Sequence, residues 1–262
     1  MTVWEAIILG LVQGLTEFLP VSSSGHLVIA QEFLGIDTPG LAFEVWLHLA
    51  TLLAVTAALH REILGMALAL LPGTSPEVRQ RGFRFWVAII VGTLPAIAVG
   101  LGLGDQVETA FSSLIAVGAG LLFTSLVLIL SRFLRPGDKP LTPLRGLLIG
   151  AAQAVAIFPG VSRSGSTLTA GLAVGLPAVE AARFAFLLSF PAILGAAVLK
   201  ADSLMELGQT APAPLVLGFL ASAVSGYAAI RVVWRVMERG RLWMFAPYCA
   251  VVGAVVLYLG FG

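Results

Sequence analysis

The chain has 262 residues, 58% apolar and only 11% charged, with a formal net charge of +1; a soluble domain carries roughly 25% charged residues. So little polar surface excludes an ordinary soluble fold of this length, and a near-neutral balance with no basic stripe argues against a nucleic-acid partner. The single cysteine, Cys249, rules out an internal disulfide.

In chain order, the first segment, 3–34, is apolar but interrupted by LPVSSSGH at 19–26. It lacks a basic leader and carries Glu5 and Glu17, so it does not read as a cleavable signal. Apolar runs at about 41–60, 83–103 and 111–131 follow, each reaching the roughly 20 residues that cross a bilayer. Segment 142–176 is again apolar and again broken, by FPGVSRSGS at 158–166. Runs at about 178–199, 212–234 and 243–261 complete the chain. Each half of a broken segment is too short to cross alone, and irregular backbone at membrane depth needs cover from protein or a water-filled cavity. Both broken segments therefore read as helix–loop–helix hairpins that enter and leave on one face. The expected fold is an all-α integral membrane protein, one domain over 1–262, with six transmembrane helices plus two re-entrant helix hairpins.

Charge orients this arrangement. Of fifteen basic residues, twelve fall in three clusters: Arg61, Arg79, Arg81 and Arg84; Arg132, Arg135, Lys139 and Arg145; Arg231, Arg235, Arg239 and Arg241. Six spans and two hairpins put all three on one side, which is cytoplasmic by the positive-inside rule. Asp37, Asp105, Glu108, Asp202 and Glu206 then lie opposite. Both termini are expected outside, with the first hairpin dipping in from outside and the second from inside.

The two broken segments align at an offset of 140, pairing Gly10, Gln13, Phe18, Val21, Ser22, Ser24 and Gly25 with Gly150, Gln153, Phe158, Val161, Ser162, Ser164 and Gly165. A weaker echo pairs Gly92 and Gly100 with Gly218 and Gly226. The expectation is an inverted-topology repeat, one copy over about 1–110 and the other over about 140–262, whose breaks meet near the midplane.

At the first break, Gln13 and Glu17 share a helix face, and Ser22, Ser23 and Ser24 precede a new helix expected to start around Gly25 and His26. The second break supplies Ser162, Ser164, Gly165, Ser166 and Thr167 and adds Arg163. Intramembrane arginine marks function by default, and two helix starts facing a guanidinium form a phosphate cradle. Glu17, Gln13 and His26 add a carboxylate for a metal or proton and an imidazole that titrates near neutrality. Singly, each has a plainer role: serine and glycine in packing, Arg163 as a structural partner of Glu17. Glu44 and His48 share a face near the outer end of a span, lining an entrance or pairing at the interface. Glu180 and Arg183 are spaced for an ion pair within one helix.

The stretch LGLVQGLTEFLPVSSSGHLVIA at 9–30, together with FPGVSRSGSTLTAG at 158–171, resembles the undecaprenyl-pyrophosphate phosphatase family, also called the bacitracin-resistance family. The likeness continues through 42–55, 92–96 and 183–191. It implies a phosphatase of the bacterial inner membrane that removes the terminal phosphate of undecaprenyl pyrophosphate and so recycles a cell-wall lipid carrier. A polyprenyl pyrophosphate lipid as partner, a divalent cation (Mg²⁺ or Ca²⁺), an active site facing the outside and a homodimer are likewise implied by the resemblance. The family's Glu/Gln-x-x-x-Glu motif falls on Gln13 and Glu17, which the resemblance implies as metal ligands; its serine motif falls on Ser22 to His26 and its arginine motif on Ser162 to Gly165. Some members carry Glu where this chain has Gln13, so Glu17 is the one carboxylate of that motif here. Two mechanisms fit: Ser23 as nucleophile with His26 as base or acid, or direct attack by water with His26 as base. The alternative class is a transporter or flippase of a phosphorylated lipid.

Overall fold

Helices account for nearly all of the chain because its apolar runs leave the backbone no partner but itself. The computed structural model describes residues 1–35, 40–207 and 212–261, with no strand among them. Expected outer-face residue Asp37 lies outside the described residues. In order, the helices are α1 (Val3–Phe18), α2 (Ser23–Leu34), α3 (Gly40–Ala58), α4 (His60–Leu68), α5 (Pro76–Gly102), α6 (Gly104–Phe111) and α7 (Leu114–Leu130). After a 3₁₀ turn at Ser131–Phe133 come α8 (Pro143–Val155), α9 (Arg163–Ala173), α10 (Ala178–Leu187), α11 (Ser189–Leu199), α12 (Ala201–Leu207), α13 (Pro212–Glu238) and α14 (Ala246–Phe261).

Among the described residues, five helical stretches are long and apolar enough to cross a membrane: Pro76–Gly102, Leu114–Phe133, Ala178–Leu199, Pro212–Glu238 and Leu242–Phe261. The run expected to cross at 41–60 forms α3, and at its end the chain bends by 79° into α4; Ala42–Ala58 and His60–Leu68 counted together make a sixth span. The chain is a multi-pass membrane protein. Two short helices stand in the connections between spans: α6, which carries Asp105 and Glu108, and α12, which carries Asp202 and Glu206.

Both broken segments are confirmed as breaks. α1 stops at Phe18 and α2 begins at Ser23, two residues before the expected start; α8 stops at Val155 and α9 begins at Arg163. Their helices pack crosswise. α1 lies against α13 and α8 against α5, with close approach wherever both sides lack a side chain: a Cβ on Gly10 would strike the Gly218 carbonyl, and one on Gly150 the Gly92 carbonyl. In lipid, where apolar surface gains little by leaving the solvent, such backbone approach supplies the van der Waals contact that holds helices together. The loops touch reciprocally as well: a Cβ on Gly25 would lie 3.3 Å from Gly160 Cα, and one on Gly165 3.4 Å from Pro20 Cβ. α7 and α14 close the bundle, each glycine of the pair Gly118 and Gly253 standing 3.0 Å from the other's carbonyl by the same measure.

One expected pair is corrected. Arg183 does not bond Glu180 but reaches from α10 to Glu62 of α4, at 2.8 Å, with its guanidinium over the Trp234 ring. Glu180 Oε1 accepts instead from Leu141 N–H (3.3 Å), stopping the free start of the segment that leads into α8. The tertiary partner wins because the bend after α3 turns Glu62 inward.

Candidate active site

The site lies where the two loops meet. Ser22 caps α2, its hydroxyl accepting from Gly25 N–H at 3.4 Å. To do so it takes φ = +72°, and among the described residues it is the one non-glycine with positive φ. Such a backbone costs about 1–3 kcal/mol and persists only where its surroundings impose it. Ser162 caps α9 in the same way, accepting from Gly165 N–H at 3.0 Å, but from ordinary extended backbone. Each loop is also tied to a neighbouring span. Thr124 of α7 donates to Gly160 O (2.9 Å) and accepts from Ser162 N–H (2.8 Å), while Cys249 Sγ of α14 lies 3.6 Å from Pro20 O.

Glu17 is the centre of the polar cluster. Its carboxylate is buried, and four groups converge on it. Gln13 Nε2, one helical turn before it, donates at 3.0 Å, and Ser23 Oγ donates at 2.7 Å, both to Oε2. Arg163, the first residue of α9, crosses from the other loop to pair with Oε1. His48 Nε2 of α3 stands 3.5 Å from Oε2. A buried carboxylate needs this many donors, because its charge has no water to solvate it. Three of the expected catalytic residues, Glu17, Ser23 and Arg163, are thus in direct contact.

The fourth is elsewhere. His26 Nδ1 lies 2.8 Å from Ser22 O and Nε2 2.7 Å from the Tyr248 hydroxyl. Its ring lies parallel to that of Tyr248, with 5.6 Å between centroids. His26, expected to act as base or acid beside Ser23, bonds α14 rather than Ser23 or Glu17. Ser24 Oγ lies 3.3 Å from Ser22 Oγ.

In the second loop most hydroxyls are spent on structure. Ser164 Oγ donates to Leu19 O (3.0 Å), joining the loops, and Thr167 Oγ1 donates to Arg163 O (2.8 Å). Ser166 is buried in the first turn of α9, behind Arg163. What these groups leave for an anion is the guanidinium and the unpaired N–H groups at the starts of α2 and α9.

Two residues escaped sequence reasoning. By sequence His48 lines an entrance with Glu44 or pairs with it at the interface; its Nδ1 does bond the Glu44 carbonyl, at 2.8 Å, and its Nε2 stands 3.5 Å from Glu17. Its nearness to the broken segments follows only from how α3 packs on α1. Tyr248 gave no signal, being one aromatic in a long apolar run.

For a metal, the described residues include no cluster of three or more His, Cys, Asp or Glu side chains. Gln13 Oε1 is nevertheless buried, without a hydrogen-bond partner, beside Glu17. An amide oxygen and a carboxylate are hard donors of the kind that suit Mg²⁺ or Ca²⁺, and Mg²⁺ commonly takes one or two protein oxygens with the rest from phosphate and water.

A family model described as bacitracin resistance protein BacA matches residues 6–255. The chain is 42% identical over 268 residues to an undecaprenyl-diphosphatase of Desulfosudis oleivorans, covering 98% of each chain. It is 40% identical over 274 residues to one of Desulforapulum autotrophicum, covering 100% of this chain and 99% of that one. An archaeal undecaprenyl-diphosphatase, from Korarchaeum cryptofilum, is 40% identical over 264 residues, covering 99% and 100%.

Proposed function

The chain belongs to the bacitracin resistance protein BacA family and is an undecaprenyl-diphosphatase, and we propose that it cleaves its substrate at Glu17, Ser23 and Arg163 where the two loops meet. The reaction converts undecaprenyl pyrophosphate to the monophosphate and inorganic phosphate. The observation that carries the site assignment is the hydrogen bond from Ser23 Oγ to a buried carboxylate already paired with an arginine from the opposite loop. A nucleophile, an acceptor for its proton and a cation for phosphate then share one contact shell.

In this mechanism Arg163 turns from Glu17 to the incoming pyrophosphate, which the N–H groups of the α2 and α9 starts also hold. Ser23 Oγ attacks the terminal phosphorus, the bond to the bridging oxygen breaks with its electron pair, and the monophosphate lipid leaves. The hydroxyl proton passes to Glu17 Oε2. Water then hydrolyses the phosphoserine, and Ser23 recovers its proton. Direct attack by water, with Ser23 as ligand only, is the competing route. A divalent cation would be held by Glu17 and Gln13 Oε1, and it would neutralise charge on the phosphates. Arg163's departure frees the Glu17 oxygen that such an ion needs.

Placement in the membrane follows the same proposal. The crossed packing of α1 on α13 and α8 on α5, and the reciprocal contacts of Gly25 with Gly160 and Gly165 with Pro20, support two inverted repeats with re-entrant hairpins. The pairing of Gly118 with Gly253 supports extending the first copy through α7. With the arginine clusters inside, the site opens outward, toward the periplasm where there is one, and both termini are external. The prenyl chain would leave along a cleft of about 290 Å³ between α2, α7 and α14, lined by Ile29, Phe33, Leu114, Val256 and Leu259, with Glu32 as its one charged residue. The homodimer implied by the family resemblance is carried as part of the proposal.

Phosphate release from undecaprenyl pyrophosphate by purified protein in detergent, with and without chelator, is the test. Metal-dependent release is expected. No release, alongside movement of the lipid across liposomes, would replace the phosphatase with a flippase.

A further inference from the structure

His26 has no bond to Ser23 or Glu17, and its two ring nitrogens are both occupied. Nδ1 lies 2.8 Å from the Ser22 carbonyl, which can only accept, so Nδ1 carries a proton. In the neutral ring Nε2 is therefore the basic nitrogen, and the Tyr248 hydroxyl, 2.7 Å away, donates to it. The nearly parallel rings, 13° apart, hold this pair in register. Tyr248 comes from α14 and is about half exposed, at 48%, while its oxygen keeps free lone pairs once its hydrogen points to Nε2.

Resting on the phosphatase reading above, we propose that Tyr248 is a further catalytic residue: His26 acts through it. The hydroxyl presents the basicity of Nε2 to the water that hydrolyses the phosphoserine. As that water attacks phosphorus, its proton moves to Tyr248 Oη and the phenolic proton moves to His26 Nε2, giving an imidazolium. The bond between phosphorus and Ser23 Oγ breaks, and Oγ takes its electron pair together with the proton held by Glu17. The imidazolium then returns its proton by the same hydroxyl to the departing phosphate. No oxidant, reductant or further reactant is needed. The arrangement explains why a histidine one turn from the nucleophile faces another helix.

The test is steady-state phosphate release from undecaprenyl pyrophosphate in detergent by wild type, Tyr248→Phe, His26→Gln and the double variant. The wild type must release phosphate; if it does not, the phosphatase reading fails and the relay with it. Given that activity, Tyr248→Phe keeps the stacked ring and loses only the hydroxyl. It should lower kcat by at least about tenfold, the low end for a lost proton-transfer group, with KM within about twofold. His26→Gln should fall by a similar factor, and the double variant no further than either. Full kcat in Tyr248→Phe would show that His26 reaches water unaided and would overturn the proposal. Equal extra loss in both backgrounds would mark Tyr248 as structural and overturn it too. Tyr248→Leu, lacking ring and hydroxyl, must be at least as impaired as Tyr248→Phe; wild-type turnover there would also refute the relay.

Discussion

Arg163 reaches across from the second loop to Glu17 of the first, and this pair is the one ionic bond that joins the two broken segments among the described residues. In the proposed mechanism it is a resting contact with two exits: phosphate for the guanidinium, and a cation for the carboxylate.

Arg163→Ala should lower phosphate release by about 10²–10³-fold, the range for losing a donor aimed at developing charge. It should also lower the melting temperature, because Glu17 would remain buried without its counter-ion. Glu17→Gln combined with Arg163→Met removes both charges. That variant should recover much of the lost stability and stay inactive, as read by thermal unfolding in detergent beside the activity assay.

Ser23 separates the two chemical routes. Rapid acid quench of enzyme mixed with substrate labelled at the terminal phosphate should trap label on the protein, and Ser23→Ala should abolish both label and turnover. Turnover in Ser23→Ala within about tenfold of wild type would assign the attack to water. The margin reflects loss of a hydrogen bond alone, at most about 1.4 kcal/mol.

His48→Ala removes a group 3.5 Å from the central carboxylate and should reduce kcat by about tenfold. His48→Gln, which can still donate toward Glu17, should recover part of that loss. Equal activity of all three proteins would reduce His48 to a lining residue.

Gln13→Glu adds a second carboxylate beside Glu17. Half-maximal activation should then occur at about tenfold lower Mg²⁺, measured by titrating the ion into chelator-treated protein. Gln13→Leu should shift it the other way, and no shift in either variant would place the cation elsewhere.

Much of this site was legible before any coordinates. The breaks at 19–26 and 158–166 stand out because proline, glycine and serine interrupt apolar runs, and Gln13 with Glu17 follows from helical spacing alone. Arg163 is conspicuous because a guanidinium at membrane depth is costly. His48 and Tyr248 were not legible in the same way. Each is a single polar group on an apolar helix, and its role depends on which helix it packs against. The apolar run read over 41–60 ends at the 79° bend, but the angle and the helix α4 beyond it were not legible because no proline or glycine marks Leu59. Arg183 was misassigned because spacing within a helix says nothing of Glu62, which the same bend carries inward.

The crossed packing of α1 on α13 and α8 on α5 has a consequence for biosynthesis. Glu17 leaves the ribosome long before α13, the helix that shelters α1. Until α13 inserts, α1 lacks the helix it packs against most closely and has mainly α2 and α3 beside it. A chain halted after α7 would lack Arg163, the partner of Glu17 from the second loop. Contacts between such distant segments form slowly because the intervening chain must first be ordered. The first loop therefore gains its full enclosure only when α13, far along the chain, packs against α1.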